Sequence, residues 1–186
     1  MGHGGNVIAE LTTDHREVDE LFAEIEVQPV GDARRRELVD HLTIELVRHS
    51  VAEEMYLYPA VRDRVAGGGD LADNEIAEHA TVERHLKELE GLSAGDSQFD
   101  HLVAKLKLEV AAHVREEEGT LFPLLARSCT PEELDELGDK VRAAKKTGPT
   151  RPHPSAPDTP PGNKLLGPGI GLVDRSRDLL TGRGRD

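Results

Sequence analysis

His15, His49, His79 and His113 follow one another at intervals of 34, 30 and 34 residues, and each has a carboxylate four positions later: Asp19, Glu53, Glu83 and Glu117. Imidazole nitrogens and carboxylate oxygens are the donors that first-row metal ions take from proteins. An α-helix turns about 100° and rises about 1.5 Å per residue, so side chains four apart share a face and each pair can grip one ion. All four histidines fall within apolar stripes. Burying four imidazoles and several carboxylates with no compensating charge costs several kcal/mol per ionised group. A pair of metal ions supplies the missing charge.

The intervals suit helices of about five to seven turns joined by short loops. The first helix is expected over about Val7–Val27, with Asn6 as cap and Ile8, Leu11, His15, Val18, Phe22 and Ile25 on one stripe. After a turn at Gly31-Asp32, a second runs through Leu38, Leu42, Glu45, His49, Glu53 and Tyr56 to a kink or end near Pro59, and Gly67–Gly69 close the hairpin. A third, about Leu71–Leu92, carries Ile76, His79, Val82, Glu83, Leu86 and Leu89 inward. A fourth starts near Ser97 and carries Phe99, Leu102, Leu106, Glu109, His113 and Glu117, with Pro123 disturbing its last turns. Thr130-Pro131-Glu132-Glu133 combines a cap, a first-turn proline and a capping-box glutamate, the start of a shorter fifth helix ending near Lys146. The fold class is therefore all-α: an up-and-down antiparallel four-helix bundle with a short fifth helix.

The chain repeats itself at an offset of 64. Leu38–Pro59 matches Leu102–Pro123 with nine identities in 22 positions, among them His49/His113, Glu53/Glu117, Glu54/Glu118, Glu45/Glu109 and Pro59/Pro123. The same offset pairs His15 with His79 and Asp19 with Glu83. Two similar helical hairpins should face each other across a pseudo-twofold axis, with a dinuclear site near it.

Beyond residue 146 the composition changes. Seven of the eleven prolines fall between Pro149 and Pro168, so residues 147–186 are expected to form a Pro/Gly-rich tail with one short amphipathic segment, Leu172–Leu180. The division is thus 1–146 for the bundle and fifth helix and 147–186 for the tail, which could dock on its own bundle or catch a protein partner. A net charge of −13 argues against nucleic acid or an anionic membrane as partner. No apolar signal stretch or membrane-length segment is present, and a lone Cys129 suits a reducing compartment, so a cytoplasmic location is expected.

Without thiolates, the donor set suits iron or manganese, with zinc possible. His15 in DHREV, His49–Glu53 in HSVAE, His79 in EHATVE and His113–Glu117 in HVREE together resemble the hemerythrin-like proteins of the HHE cation-binding family over about residues 6–126. The resemblance implies two iron ions bridged by carboxylates and an oxo or hydroxo group, held by His15, His49, Glu53, His79, Glu83, His113 and Glu117. It further implies O2 or another small oxidant as ligand, in oxygen, peroxide or nitric oxide response or in iron homeostasis. A catalase-like peroxide-disproportionating enzyme and a metal- or redox-dependent regulatory module acting through the tail are the alternatives.

Oxygen-carrying members of the family place a second histidine four residues after the one on helix three and an aspartate five after the one on helix four, whereas this chain has Glu83 at the first place and pairs His113 with Glu117, four residues on. The departure favours reactive chemistry over reversible oxygen carriage. Glu45 and Glu109, one turn before their histidines, are placed either to orient imidazoles or to sit solvated at the edge. Tyr56 is placed to hydrogen-bond a bound oxygen species or simply to pack. Glu54 and Glu118 are expected to face solvent, with Glu118 held in reserve as a ligand. His3, His41, His85, His101 and His153 lie off the site face or outside the helices and are given no ligand role.

Overall fold

A computed structural model describes residues 4–184, so His3 lies outside the described residues. Four long helices carry the site: α1 (Val7–Val27), α2 (Ala33–Ala52), α4 (Gly68–Leu89) and α5 (Ser97–Glu116). α2 and α5 each run through a five-residue π-helical turn, Glu53–Leu57 and Glu117–Leu121, into short extensions, α3 (Tyr58–Arg64) and α6 (Phe122–Ser128). α7 (Pro131–Thr147) packs on α1 and α2, and α8 (Gly162–Thr181) closes the fold. Among the described residues no helix is long and apolar enough to cross a membrane.

Local chemistry sets the boundaries. The Asn6 side chain accepts the Ala9 N–H at 3.0 Å, and Thr130 and Glu133 form a reciprocal capping box at the start of α7. Gly67, at φ +74°, takes the left-handed conformation that the tight turn into α4 requires.

The core divides into two apolar clusters. One gathers Val18, Phe22, Ile25, Leu42, Val47, Val82, Leu86, Phe99, Leu106 and Val110, and the other gathers Val7, Leu11, Ala52, Leu57, Tyr58, Ala72, Leu121, Phe122 and Val141. Along every long helix the histidine separates a residue of one cluster from a residue of the other: Leu11/Val18, Val47/Ala52, Ala72/Val82 and Val110/Leu121. The four imidazoles thus form one layer across the bundle. The order in which each helix meets the clusters alternates, so the helices run up, down, up, down.

The tail departs from expectation. The amphipathic segment expected over Leu172–Leu180 is instead the second half of a 20-residue helix with Pro168 inside it. Proline and four glycines give α8 poor intrinsic propensity, which is why sequence periodicity alone stops short of it. Tertiary anchoring overrides that preference: Asp174 accepts the backbone N–H groups of Thr150 and Arg151, each at 3.2 Å, and Asp178 pairs with Thr150 and Arg151.

Candidate metal centre

The π turns are the local device that shapes the site. Pro59 and Pro123 have no N–H and would clash with the carbonyl four residues back if α2 and α5 continued regularly. The helix opens by one residue instead, and the carbonyls of Glu53 and Glu117 accept the N–H groups of Tyr58 and Phe122, five residues on. The extra residue rotates the following turn, so the fifth residue after each glutamate comes round to the site.

Each imidazole is held by Nδ1 from outside. His49 donates to Asp14 (3.0 Å), His79 to Glu54 (3.1 Å), His15 to Glu118 (2.8 Å) and His113 to Glu78 (3.2 Å), with Glu75 at 2.7 Å from the same His113 nitrogen. These contacts obey the offset of 64: Asp14 answers Glu78, and Glu54 answers Glu118. They turn every Nε2 inward. There His49 Nε2 lies 3.1 Å from Glu53, His79 Nε2 3.4 Å from Glu53, His15 Nε2 3.4 Å from Glu117, His113 Nε2 3.7 Å from Glu117, and the His79 and His113 Nε2 atoms are 3.2 Å apart. Donors bound about 2.0–2.2 Å from a common ion at right angles would stand about 3 Å apart, so these separations suit a shared coordination shell.

Three overlapping groups of donors result: His15, His49, Glu53 and Glu117; Glu53, His79 and His113; and Glu75, His113 and Glu117. Glu53 and Glu117 each belong to two of them. His15 Nε2, His49 Nε2, Glu53 Oε1 and Glu117 Oε2 are buried without a hydrogen-bond partner. Converging donors of this kind fit bound metal ions.

The electrostatics agree. Burial alone would depress the His49 pKa, yet Glu53 and Asp14 push it up to about 10. His79 and His113 are raised against the same burial by their carboxylates, His113 well above the ordinary imidazole range. Burial works to raise Glu53 as well, but His49 and His79 hold it well below the usual carboxylate range. Burial raises Glu75 despite its contact with His113. Without a cation, protons hold the charge that metal ions would carry.

Of the residues singled out from sequence, His15, His49, Glu53, His79, His113 and Glu117 are brought together. Glu83 is not: its carboxylate accepts the backbone N–H of His153 at 2.7 Å, in the tail. Glu75, four residues before His79, is instead grouped with His113 and Glu117. α2 and α5 pass through the histidine layer in one direction and α1 and α4 in the other, so carboxylates at the level of Glu53 and Glu117 must precede, not follow, the histidines of α1 and α4. The alternation of helix direction was the signal that could have found Glu75. Asp19, on the far side by the same logic, is exposed.

Tyr56 is turned away by the π turn, with the Lys164 ammonium 4.6 Å from its ring centre, and Tyr58 takes the site position. The Tyr58 hydroxyl donates to Glu117 at 3.1 Å and lies 3.1 Å from His79 Nε2 and 3.4 Å from Glu53. Glu45 pairs with His41 and Arg48, and Glu109 accepts from His85 Nδ1 at 2.9 Å, so neither touches a site imidazole. Glu54, expected in solvent, is buried against His79, and Glu118 reaches both His15 and Arg16. Sequence reasoning also missed Asp14 and the buried Lys145 of α7, which pairs with Asp14 and with Glu10 at 2.9 Å.

Residues 6–125 match the hemerythrin HHE cation binding domain family, and the chain belongs to that family. An uncharacterized hemerythrin-like protein of Schizosaccharomyces pombe is 29% identical over 168 residues, covering 90% of this chain and 82% of that protein. A DNA nickase of a Nostoc species is 30% identical over 140 residues, which cover 75% of this chain but only 39% of the nickase. Among solved structures, a hemerythrin HHE cation binding domain-containing protein from Mycobacterium kansasii superimposes with a TM-score of 0.66 at 29% identity, covering 76% of this chain and 85% of that one. The protein is a metal-ion-binding helical bundle of this family.

Proposed function

We propose that the protein holds two iron ions, manganese or zinc being the other metals the donors admit, and that the pair binds or reacts with O2 or a related small oxidant. His15 and His49 would hold one ion, His79, His113 and Glu75 the other, and Glu53 and Glu117 would span both. Iron would supply the electrons that a bound oxidant takes up. The observation that carries the reading is the set of converging Nε2 and carboxylate donors from four helices, sealed between two apolar clusters.

The surroundings support a small ligand. A cavity of 20 Å³ beside the four imidazoles is walled by Val18, Leu46, Val82, Val110 and Val114, with room for a molecule about the size of water. Beside the first ion position Phe122 stacks on His15 with ring centres 5.8 Å apart, in the apolar cluster that also holds Leu11. With fewer protein donors, this position is the one open to an exogenous ligand. A carboxylate, Glu75, in place of a further imidazole is a harder, charged donor and favours the oxidised pair. Sensing, peroxide chemistry or iron handling therefore suits the site better than reversible oxygen carriage. The Tyr58 hydroxyl favours peroxide disproportionation as the second reading: burial and the surrounding carboxylates hold its pKa well above the ordinary phenol range, so it keeps a proton at the carboxylate layer. Action within the cytoplasm, without nucleic acid as substrate, is part of the same proposal and rests on the acidic charge and the lone cysteine.

Metal analysis of anaerobically purified protein, followed by absorption spectra on adding air and then peroxide, tests it. About two iron ions per chain and a spectral change with either oxidant are expected. Oxygen evolution from peroxide would select the enzymatic reading. A fully loaded protein indifferent to both oxidants would remove the oxidant proposal.

A further inference from the structure

α8 is an amphipathic helix turned inside out. Its buried face consists of Asn163, Gly167, Gly171, Asp174 and Asp178, and a Cβ on Gly171 would stand 2.3 Å from the Thr147 carbonyl oxygen, so the helix lies close against the end of α7. Its outward face carries Leu165, Leu166, Leu172, Val173, Leu179 and Leu180, between 51% and 88% exposed. Elsewhere among the described residues the exposed large hydrophobics are the scattered Val27, Val30 and Leu108. An apolar stripe of this length calls for a cover.

We propose that the cover is α8 of a second copy of this chain, packed antiparallel about a twofold axis. Three features carry the inference. The leucine-rich pairs recur every seven residues, 165/166, 172/173 and 179/180, the period of helix-to-helix packing. Gly169 and Ser176, midway between the pairs, are small and exposed, so two helix backbones can approach closely along the stripe. The pattern also reads the same in both directions about its centre: Leu165 meets Leu180, Leu166 meets Leu179, Gly169 meets Ser176 and Leu172 meets Val173. An isologous interface demands that reciprocity.

The charges select the same arrangement. Asp174 and Asp178 are buried, so the exposed charges beside the stripe are the cations Lys164 and Arg177. Parallel helices would set each against its own copy, whereas the antiparallel register sets Lys164 opposite Thr181 and Arg177 opposite Pro168. An anionic lipid surface would attract these two cations, but the whole chain carries −13 and would be repelled.

Sedimentation equilibrium of the full chain should give twice the 20.3 kDa monomer mass. Leu172→Lys/Val173→Lys should return it to the monomer with unchanged helical circular dichroism, because both side chains are exposed in the single chain. Register is tested in a Cys129→Ser background. Gly169 has open space for a side chain, and oxidising a mixture of Gly169→Cys and Ser176→Cys chains should give a cross-linked dimer that neither chain gives alone. A monomer at all concentrations, a dimer indifferent to the double lysine change, or self-cross-linking of Ser176→Cys would overturn the proposal. So would a monomer that floats with vesicles rich in phosphatidylserine, which would assign the stripe to a membrane.

Discussion

The two hairpins repeat each other residue for residue around the metal layer, yet they furnish it differently. His15 and His79 correspond, as do His49 and His113, Glu53 and Glu117, Asp14 and Glu78, and Glu54 and Glu118. The correspondence fails at two positions beside the site histidines. Where the first hairpin has Leu11, the second has Glu75, and where the first has Tyr58, the second has Phe122. Both polar members fall beside His79 and His113, whereas Phe122 stacks on His15 and shares an apolar cluster with Leu11. In the proposed two-ion site, duplication would supply two ion positions, and divergence at two residues would make them unequal. A third asymmetry comes from outside the repeat, because α7 supplies Lys145 to Asp14, while Glu78 stands partly in solvent.

The heaviest blow to this arrangement is the loss of both imidazoles that anchor a histidine–glutamate pair. His49→Ala/His113→Ala is expected to fall from about two metal ions per chain to fewer than one, measured by elemental analysis. A fully loaded double variant would dismantle the assignment of the site.

Glu75→Leu makes the second hairpin copy the first. It should weaken one of the two ions by about 10–100-fold and leave the other nearly unchanged, seen as two separated steps in a metal titration. Equal weakening of both ions would mean that the two positions are not distinct.

Acidity sharpens the comparison from the side of the first hairpin. In the metal-free protein His49 titrates at about 10 when folded against an ordinary value of 6.5, so its contribution to stability is complete below 6.5 and is lost as pH rises through about 10. The melting temperature of the metal-free protein should therefore fall between about pH 7 and pH 10, more than that of its His49→Gln variant. Metal uptake near neutrality should also release protons, read as a dependence of the calorimetric heat on the buffer. Equal pH profiles for the two metal-free proteins would show that Glu53 and Asp14 do not hold the His49 proton.

The smallest effects belong outside the layer. Glu83→Gln replaces a charged acceptor of one tail N–H by a neutral amide oxygen and should cost about 1 kcal/mol or less with metal content intact. A chain ending at Lys146 should likewise keep its metal and the helical signal of the bundle, losing only that of α8, because the tail is fastened by partly buried ion pairs and not by the two apolar clusters. Loss of metal in either would draw the tail into the site.

Much of the bundle was legible because helix signals are local. Asn6, Gly67 and the Thr130–Glu133 box act within a turn of themselves, and the four histidines stand out against their apolar stripes. Tyr58 was hidden because a regular helix points Tyr56 toward the site, and only the added residue of the π turn exchanges the two. Pro59 and Pro123 marked where the regular helix must fail without saying in which way. Glu54 and Glu118 looked solvated on a helical projection, yet each spans the gap to an imidazole on another helix.

What the sequence determined by itself was the set of inward histidines, the glutamates four residues after His49 and His113, and the duplication that pairs them, because periodicity and offset are properties of the chain alone. Tertiary structure decided which further carboxylates lie level with those glutamates. Glu75 and Glu83 lie equally near His79 along the helix, one turn to either side, and share its face. The choice between them depends on which end of α4 lies level with Glu53 and Glu117, and that is set by the antiparallel packing of four helices rather than by any residue near His79.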